Sequence, residues 1–479
     1  MKFRATAAAA MAATVLAGCA SYSGIEPQSA LRTPQQAGVP AAEPAAMVSP
    51  SWWKDFGDPQ LDRLVDTALQ GSPSLKIAQA RLARAQSAFE LARSATQPQV
   101  QGSFEAQRQL YTRNGIIPPP IGGSERDTGT LQLGGSWELD FFGRNREAIE
   151  AAVGGARAAQ ADAQAARVLL AANVARSYFQ LARLNDQLQV AQRTLAQRQE
   201  QLGLVRDRVR AGLDTTLEER QSEGAIPDVR QQVEALQEQV QLTRHALTAL
   251  VGRPGLELEP TSLASARPLA LPASIPADLL ARRADITAAR WRIEAATHDI
   301  ASAKAQFYPN VNLTAFIGLS SLGLGKLLES GSEQWGVGPA IHLPIFDAGR
   351  LRANLRGKTA DLDVAVETYN GAILDAVRDV ADQLTSARSI GVQQGEQKQA
   401  QASAEAAYDI AVQRYKAGLG TYLNVLTAET AVLNQRRLAV DLAARAIDTQ
   451  VQLARSLGGG FQADTGAQRV AAQTNKQGS

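Results

Sequence analysis

Glu218 and Glu219 are an adjacent carboxylate pair, the residue type that performs acid–base work, but neighbours on a helix diverge by about 100° and cannot flank one reacting bond. They read as solvated charges on a helix face. The nearest approach to a phosphate-cradling loop, Gly323-Leu324-Gly325-Lys326, lacks the required spacing and reads as a surface turn between two strands. His245, His298 and His342 are scattered, and no serine sits in a nucleophile elbow. A single cysteine in 479 residues leaves neither a disulfide framework nor a thiolate metal cluster within the chain. These constellations predict a protein that is not an enzyme and that holds no metal and no dissociable cofactor.

One covalent chemistry is legible, at the amino terminus. Lys2 and Arg4 form a basic segment, Ala5 to Val15 an apolar one, and Leu16-Ala17-Gly18-Cys19 brings small residues up to the cysteine. The pattern resembles a bacterial lipoprotein signal: a signal peptide over 1–18, cleavage before Cys19, and a diacylglycerol and palmitate on its thiol as the only attached group. Ala20 beside it, in place of an aspartate, resembles lipoproteins sent on to the outer membrane. Removing residues 1–18, which carry no acid, leaves 47 basic against 47 acidic side chains, and a neutral chain is a poor match for nucleic acid. Residues 19–50, broken by Pro27, Pro34, Pro40, Pro44 and Pro50, read as a linker between lipid and fold. After the signal, no apolar run approaches the roughly 18 residues of a spanning helix, so any membrane crossing has to use strands in a closed barrel.

The remaining elements follow from proline placement and periodicity. Asp58 is placed as an N-cap with Pro59 as first helical residue, and no proline occurs between Pro120 and Pro227 or after Pro344. Leu181, Leu184, Leu188, Ala191, Leu195, Leu202, Val205 and Val209 advance by alternating steps of three and four, with Arg198 as the polar interruption. That is the seam of a left-handed coiled coil. A second seam runs through Val229, Val233, Leu236, Val240, Thr243, Leu247 and Leu250, and the intervening Ala211-Gly212-Leu213-Asp214 closes an antiparallel hairpin. Val205 to Leu217 repeats as Ala411 to Leu423, pairing Arg208 with Arg414 and Ala211-Gly212-Leu213 with Ala417-Gly418-Leu419. Gly143-Arg144 recurs as Gly349-Arg350, and Pro98-Gln99-Val100 as Pro309-Asn310-Val311. The chain is a tandem duplication.

Each copy also holds two strands, about 99–110 and 129–142 in the first and about 309–319 and 334–346 in the second. Leu131, Leu133, Gly135, Trp137, Leu139 and Phe141 alternate with polar and small residues, as do Val311, Leu313, Ala315 and Ile317. Strands of about ten residues with one greasy face suit a tilted membrane crossing. Four strands cannot close a barrel, since the smallest bacterial ones use about eight, so strands in lipid require an oligomer. The first repeat is placed at 51–272 with its hairpin at 143–252, the second at 273–459 with its hairpin at 348–457, and a polar tail at 460–479. The loops 111–127 and 320–333 are placed on the extracellular side.

Taken together the chain resembles the outer-membrane efflux factor family typified by TolC and OprM, and most closely its NodT-type lipoprotein branch, over residues 16 to about 459. The carriers are the segment ending at Cys19, Trp52-Trp53-x-x-Phe56-x-Asp58-Pro59, Trp137-Glu138-Leu139-Asp140-Phe141-Phe142-Gly143-Arg144, Gly224-Ala225-Ile226-Pro227, Asp278 to Ile286, Phe307-Tyr308-Pro309-Asn310 and Pro344-Ile345-Phe346-Asp347-Ala348-Gly349-Arg350. The resemblance implies an α+β membrane protein: a homotrimer whose four strands per chain make a twelve-stranded β-barrel, continued by a long α-helical coiled-coil barrel. It implies an exit duct of a tripartite multidrug efflux system, set in outer-membrane lipid, with a periplasmic adaptor protein and an inner-membrane pump of the proton-driven RND type as partners. The hairpin tips Ala211, Gly212, Leu213, Asp214 and Ala417, Gly418, Leu419, Gly420 would dock the adaptor. Tyr415 matches the family's gate tyrosine and Glu218 an acidic gate position. Asn424 and Thr427 stand where relatives commonly carry Asp, and Gly420 where some carry Arg. The expectation is therefore a gate narrowed by Leu423 with Tyr415, with Glu218 as the residual acidic ring. The alternative is a lipid-anchored periplasmic coiled-coil scaffold or adaptor without a pore.

Overall fold

The computed structural model describes residues 21–33, 35–38, 48–270, 274 and 278–461. Cys19 and the signal segment lie outside the described residues, as does all but the start of the tail. Seven long helices and four strands succeed one another: α1 (Pro59–Gly71), α2 (Pro73–Ser94), β1 (Gln99–Leu110), β2 (Glu125–Leu139), α3 (Arg144–Arg210), α4 (Thr216–Val251), α5 (Ala284–Ala305), β3 (Asn310–Leu322), β4 (Glu333–His342), α6 (Arg350–Lys416) and α7 (Tyr422–Ser456). The order helix, strand pair, hairpin occurs twice, as a duplicated sequence requires. Contacts divide the chain into two compact units, one of residues 1–31, 81–159 and 289–369, the other of residues 32–80, 160–288 and 370–479.

The first unit carries the sheet, which is antiparallel in the order β1-β2-β3-β4. Its register puts Phe104 opposite Leu131, Leu133 opposite Ile317, and Ile317 opposite Trp335, so the apolar residues of all four strands share one face. The other face holds Gln101, Ser103, Gln132, Thr130, Asn312 and Thr314. β2 extends back to Glu125, which shortens the loop before it, and β4 stops at His342, because Pro344 has no N–H to give a ladder. Beneath the sheet α3 and α5 approach so closely that a Cβ on Gly154 would lie 3.0 Å from that of Ala295, and only glycine fits. Arg157 stacks on Trp291 at 4.5 Å across the same pair of helices.

The expected free linker over 19–50 is corrected at its near end. Residues 21–31 form a strap docked on the first unit: the Gln28 and Ser29 amides both donate to Asp363 Oδ1 at 2.9 Å, and Arg352 donates to the Ser21 carbonyl. Tyr22 packs edge-on against Phe307 at 5.5 Å, and Ile25 joins the small core of Ile300, Ala303, Leu351 and Leu355. Proline content predicted no helix here, correctly, but an extended strand of chain can still be held through its backbone donors.

The second unit is held by packing between α1, the middle of α3 and the ends of α4 and α7. Trp52, Trp53 and Phe56, in a 3-10 turn, bury against Phe179, Leu181 and Leu184 of α3 and Val451, Leu453 and Leu457 of the α7 end. Asp58 caps α1 by accepting from the Gln60 and Leu61 amides at 2.9 and 3.3 Å, and it also accepts the Tyr178 hydroxyl at 2.5 Å. Burial first, and then that carboxylate, push the Tyr178 hydroxyl up to about 12, so it stays a donor. Tyr178→Phe should leave a cap carboxylate short of one buried donor and lower stability by about 1.5–3 kcal/mol, read as a fall in the thermal midpoint in detergent.

Candidate functional site

The two hairpins end in matching turns. Gly212 and Gly418 take left-handed backbone angles (φ +72° and +75°), which lets the Leu213 amide reach back to the Arg208 carbonyl at 2.9 Å and Leu419 to Arg414 at 2.8 Å. Ala211, Leu213, Ala417 and Leu419 are exposed at these turns, as are Leu217 and Leu423 on the first turns of α4 and α7. Here the repeats part company. In the first, Arg208 Nε donates to Asp214 Oδ2 at 2.9 Å, both side chains being 11% exposed; in the second, Gly420 replaces the acid and Arg414 turns to the Leu419 carbonyl.

Asp214 also accepts the hydroxyl of Tyr415 from the other hairpin, and the Arg208 guanidinium lies 4.5 Å over the Tyr415 ring. Tyr415 is buried with Val205, Tyr422 and Val425. This corrects the expectation that Tyr415 obstructs a passage by its bulk: its side chain is spent on tying the second hairpin to the first, because a buried phenol needs a partner and Asp214 supplies it. Glu218 is corrected too. Its carboxylate closes a capping box, accepting the Thr215 amide at 2.9 Å and the Thr215 hydroxyl, which hold it below the usual carboxylate range. Leu423, Asn424 and Thr427 are exposed on α7, with the Thr427 hydroxyl donating to the Leu423 carbonyl at 2.9 Å.

Burial works to raise the Asp214 carboxyl, but the hydrogen bonds from Arg208 and Tyr415 outweigh it and leave it below the ordinary range. Burial and the bond to Asp214 push the Tyr415 hydroxyl well up. Farther along, Arg198 pairs with Glu429 of α7, and burial pushes that carboxyl up against the pull of the arginine. Sequence reasoning named Tyr415 but missed Arg208, Asp214, Arg198 and Glu429 as partners. Two signals were available: the loss of an acid at Gly420 in an otherwise matching repeat, and the single polar residue in the α3 seam.

The membrane-facing part lies in the first unit. Val100, Phe104, Leu133, Ile317, Trp335 and Val337 are each more than half exposed on the sheet's apolar face, an arrangement that has no reason in water. At the helix end of the sheet Phe141, Phe142, Tyr308 and Phe346 are exposed, with Phe142 stacked on Tyr308 at 4.9 Å. An aromatic girdle bounding an apolar band marks a membrane–water interface. No helix among the described residues is long and apolar enough to cross a membrane.

A sheet with a lipid face above paired helical hairpins defines a channel-forming envelope protein. Residues 64–253 and 275–459 match the outer membrane efflux protein family, and the chain belongs to it. It is 37% identical over 369 residues to the fusaric acid resistance protein FusA of Burkholderia cepacia, covering 72% of this chain and 67% of that one. The multidrug resistance outer membrane protein MdtP of Escherichia coli is 33% identical over 426 residues, 86% of each chain. Among solved structures, the outer membrane protein VceC of Vibrio cholerae superposes with a TM-score of 0.80 at 37% identity, over 88% of this chain and all of that one. The open state of the MtrE outer membrane channel of Neisseria gonorrhoeae gives 0.78 at 28% identity, over 92% and 99%. The protein is thus an outer-membrane efflux channel, a transport component, and the poreless scaffold is not favoured. The expected fold class, mostly helical with a four-stranded sheet, is the one found.

The sign of any pH effect on the tip follows from Asp214. A depressed carboxyl contributes its tie fully above its unfolded value and loses it only as pH falls through the lower folded value. Conductance of the resting channel should therefore stay constant between about pH 5 and pH 8, whereas Asp214→Asn should raise it at every pH. An acid-induced opening within that window would reject the assignment.

Proposed function

We propose that the chain works as a homotrimer and forms the exit duct of a tripartite efflux system, conducting solutes passively from a periplasmic pump complex to the exterior. The observation that carries this is the sheet itself: four strands with two unpaired edges and an exposed apolar face. Backbone groups at an open edge cannot be left in hydrocarbon, and three copies joined β4 to β1 remove every edge as a twelve-stranded barrel. A barrel of that size keeps an aqueous lumen, and the face bearing Gln101, Gln132, Thr314 and their neighbours would line it.

In this reading the only attached group is the lipid on Cys19. Its anchor enters the inner leaflet beside Tyr22, which the strap holds against Phe307. The periplasmic entrance is closed by the hairpin tips. Leu423 projects toward the axis, with Asn424 and Thr427 behind it, and the Arg208–Asp214–Tyr415 tie keeps the second hairpin from swinging out. Residues 211–214 and 417–420 dock a periplasmic adaptor through Leu213 and Leu419, which are exposed apolar side chains at the tips. An inner-membrane pump of the proton-driven RND type supplies the energy. The cargo belongs to the class carried by multidrug systems, as the name of the Escherichia coli relative has it.

Cross-linking in native membranes should give a species of three times the chain mass, and planar bilayers should show small, flickering steps that grow in Leu423→Ala. A monomer without conductance, also in Leu423→Ala, would overturn the reading. Labelling with a palmitate analogue should be lost in Cys19→Ser while Cys19-independent trimer contacts persist.

A further inference from the structure

Arg198 interrupts an otherwise apolar seam, and the reason lies in what it reaches. Its Nε donates to Glu429 Oε2 on α7 at 3.1 Å and its Nη1 donates to the Ala225 carbonyl on α4 at 2.8 Å, so one side chain joins three helices of the second unit. It is the deepest rung of a ladder. Arg176–Asp448 and Arg183–Asp441 also bridge α3 to α7, but their side chains are 33–46% exposed, against 12% and 2% for Arg198 and Glu429. Exposed rungs are screened by water and contribute little. The buried one differs in kind, because removing either partner strands a charge in a dry interior.

Two further features make this rung a place of possible movement. Glu429 Oε1 is buried and has no hydrogen-bond partner, so the carboxylate is only half satisfied in the present packing and gains hydration once α7 lifts off α3. Pro227 sits inside α4 two residues beyond Ala225 and cannot donate to the Glu223 carbonyl, so α4 is weakest in the turn that Arg198 grips. Arg198 precedes Arg208 by ten positions, about 15 Å along the helix, which separates it from the tip.

We propose that the Arg198–Glu429 pair is a second closure point of the channel, distinct from the Arg208–Asp214–Tyr415 tie, that holds α7 on α3 and is released by wetting the carboxylate. This rests on the reading of the hairpin tips as the gate. Both residues are positioning residues, since neither touches the solute.

The test is single-channel recording of the reconstituted full-length protein, with assembly of each variant checked by cross-linking. Arg198→Met and Glu429→Gln should each raise open probability about tenfold or more, and the double variant Arg198→Met/Glu429→Leu, which buries no charge, should return it toward the parental value. Glu429→Gln keeps the volume and one acceptor for Arg198, and so reports even if Arg198→Met fails to assemble. Parental behaviour in Glu429→Gln beside an open Asp214→Asn would overturn the second closure point and leave the tip gate standing. A double variant as open as the single ones would also overturn it, since the effect would then be lost packing rather than charge pairing. Silence in all variants, Asp214→Asn included, would remove the gate reading and this inference with it.

Discussion

An antiparallel sheet of four strands has two edges, and neither edge can be left in hydrocarbon. Every other feature of the chain is arranged around that constraint. The register places the apolar side chains of β1 to β4 on one face, where they stay exposed in the single chain, and leaves glutamines, serines, threonines and asparagines on the other. Such a sheet is unsatisfied in water along its face and in lipid along its edges. Copies of the same chain meet both demands at once, the edges by pairing and the face by immersion. The helices then begin where the strands end, with Gly143 and Gly349 at positive φ making the same turn into α3 and α6.

Duplication explains why one design serves twice, and the departures from it mark where the copies took on separate duties. The tip turns are alike down to the hydrogen bond from Leu213 or Leu419, yet only the first copy carries the aspartate that binds its own arginine. The second copy contributes a tyrosine to that aspartate instead. A symmetric pair of hairpins has thereby become an asymmetric one, with an acceptor on one side and a donor on the other.

Much of this was legible in the sequence because periodicity is a local property. The 3.5-residue seams, the alternation in β2 and β3, the capping by Asp58 and the glycine turns at 212 and 418 all depend on residues within a few positions of each other. What could not be read were partnerships across long separations. Glu218 looked available until its role in a capping box appeared, and a Thr-x-x-Glu spacing was in fact visible at Thr215 to Glu218. Tyr415 was correctly singled out by likeness and wrongly assigned by mechanism, because its partner Asp214 lies 201 positions away. Arg198 stood out only as a blemish in a pattern. The docked strap escaped notice for a different reason: its grip comes from backbone amides, which carry no side-chain signature.

That strap changes what a lipid on Cys19 would accomplish. Only two residue steps, about 7 Å of chain, separate Cys19 from Ser21, whose carbonyl is already held by Arg352. An anchor with so little slack cannot act as a leash that lets the protein search for the bilayer. It acts as a depth gauge, fixing the level of the aromatic girdle relative to the inner leaflet while the sheets are still finding their neighbours.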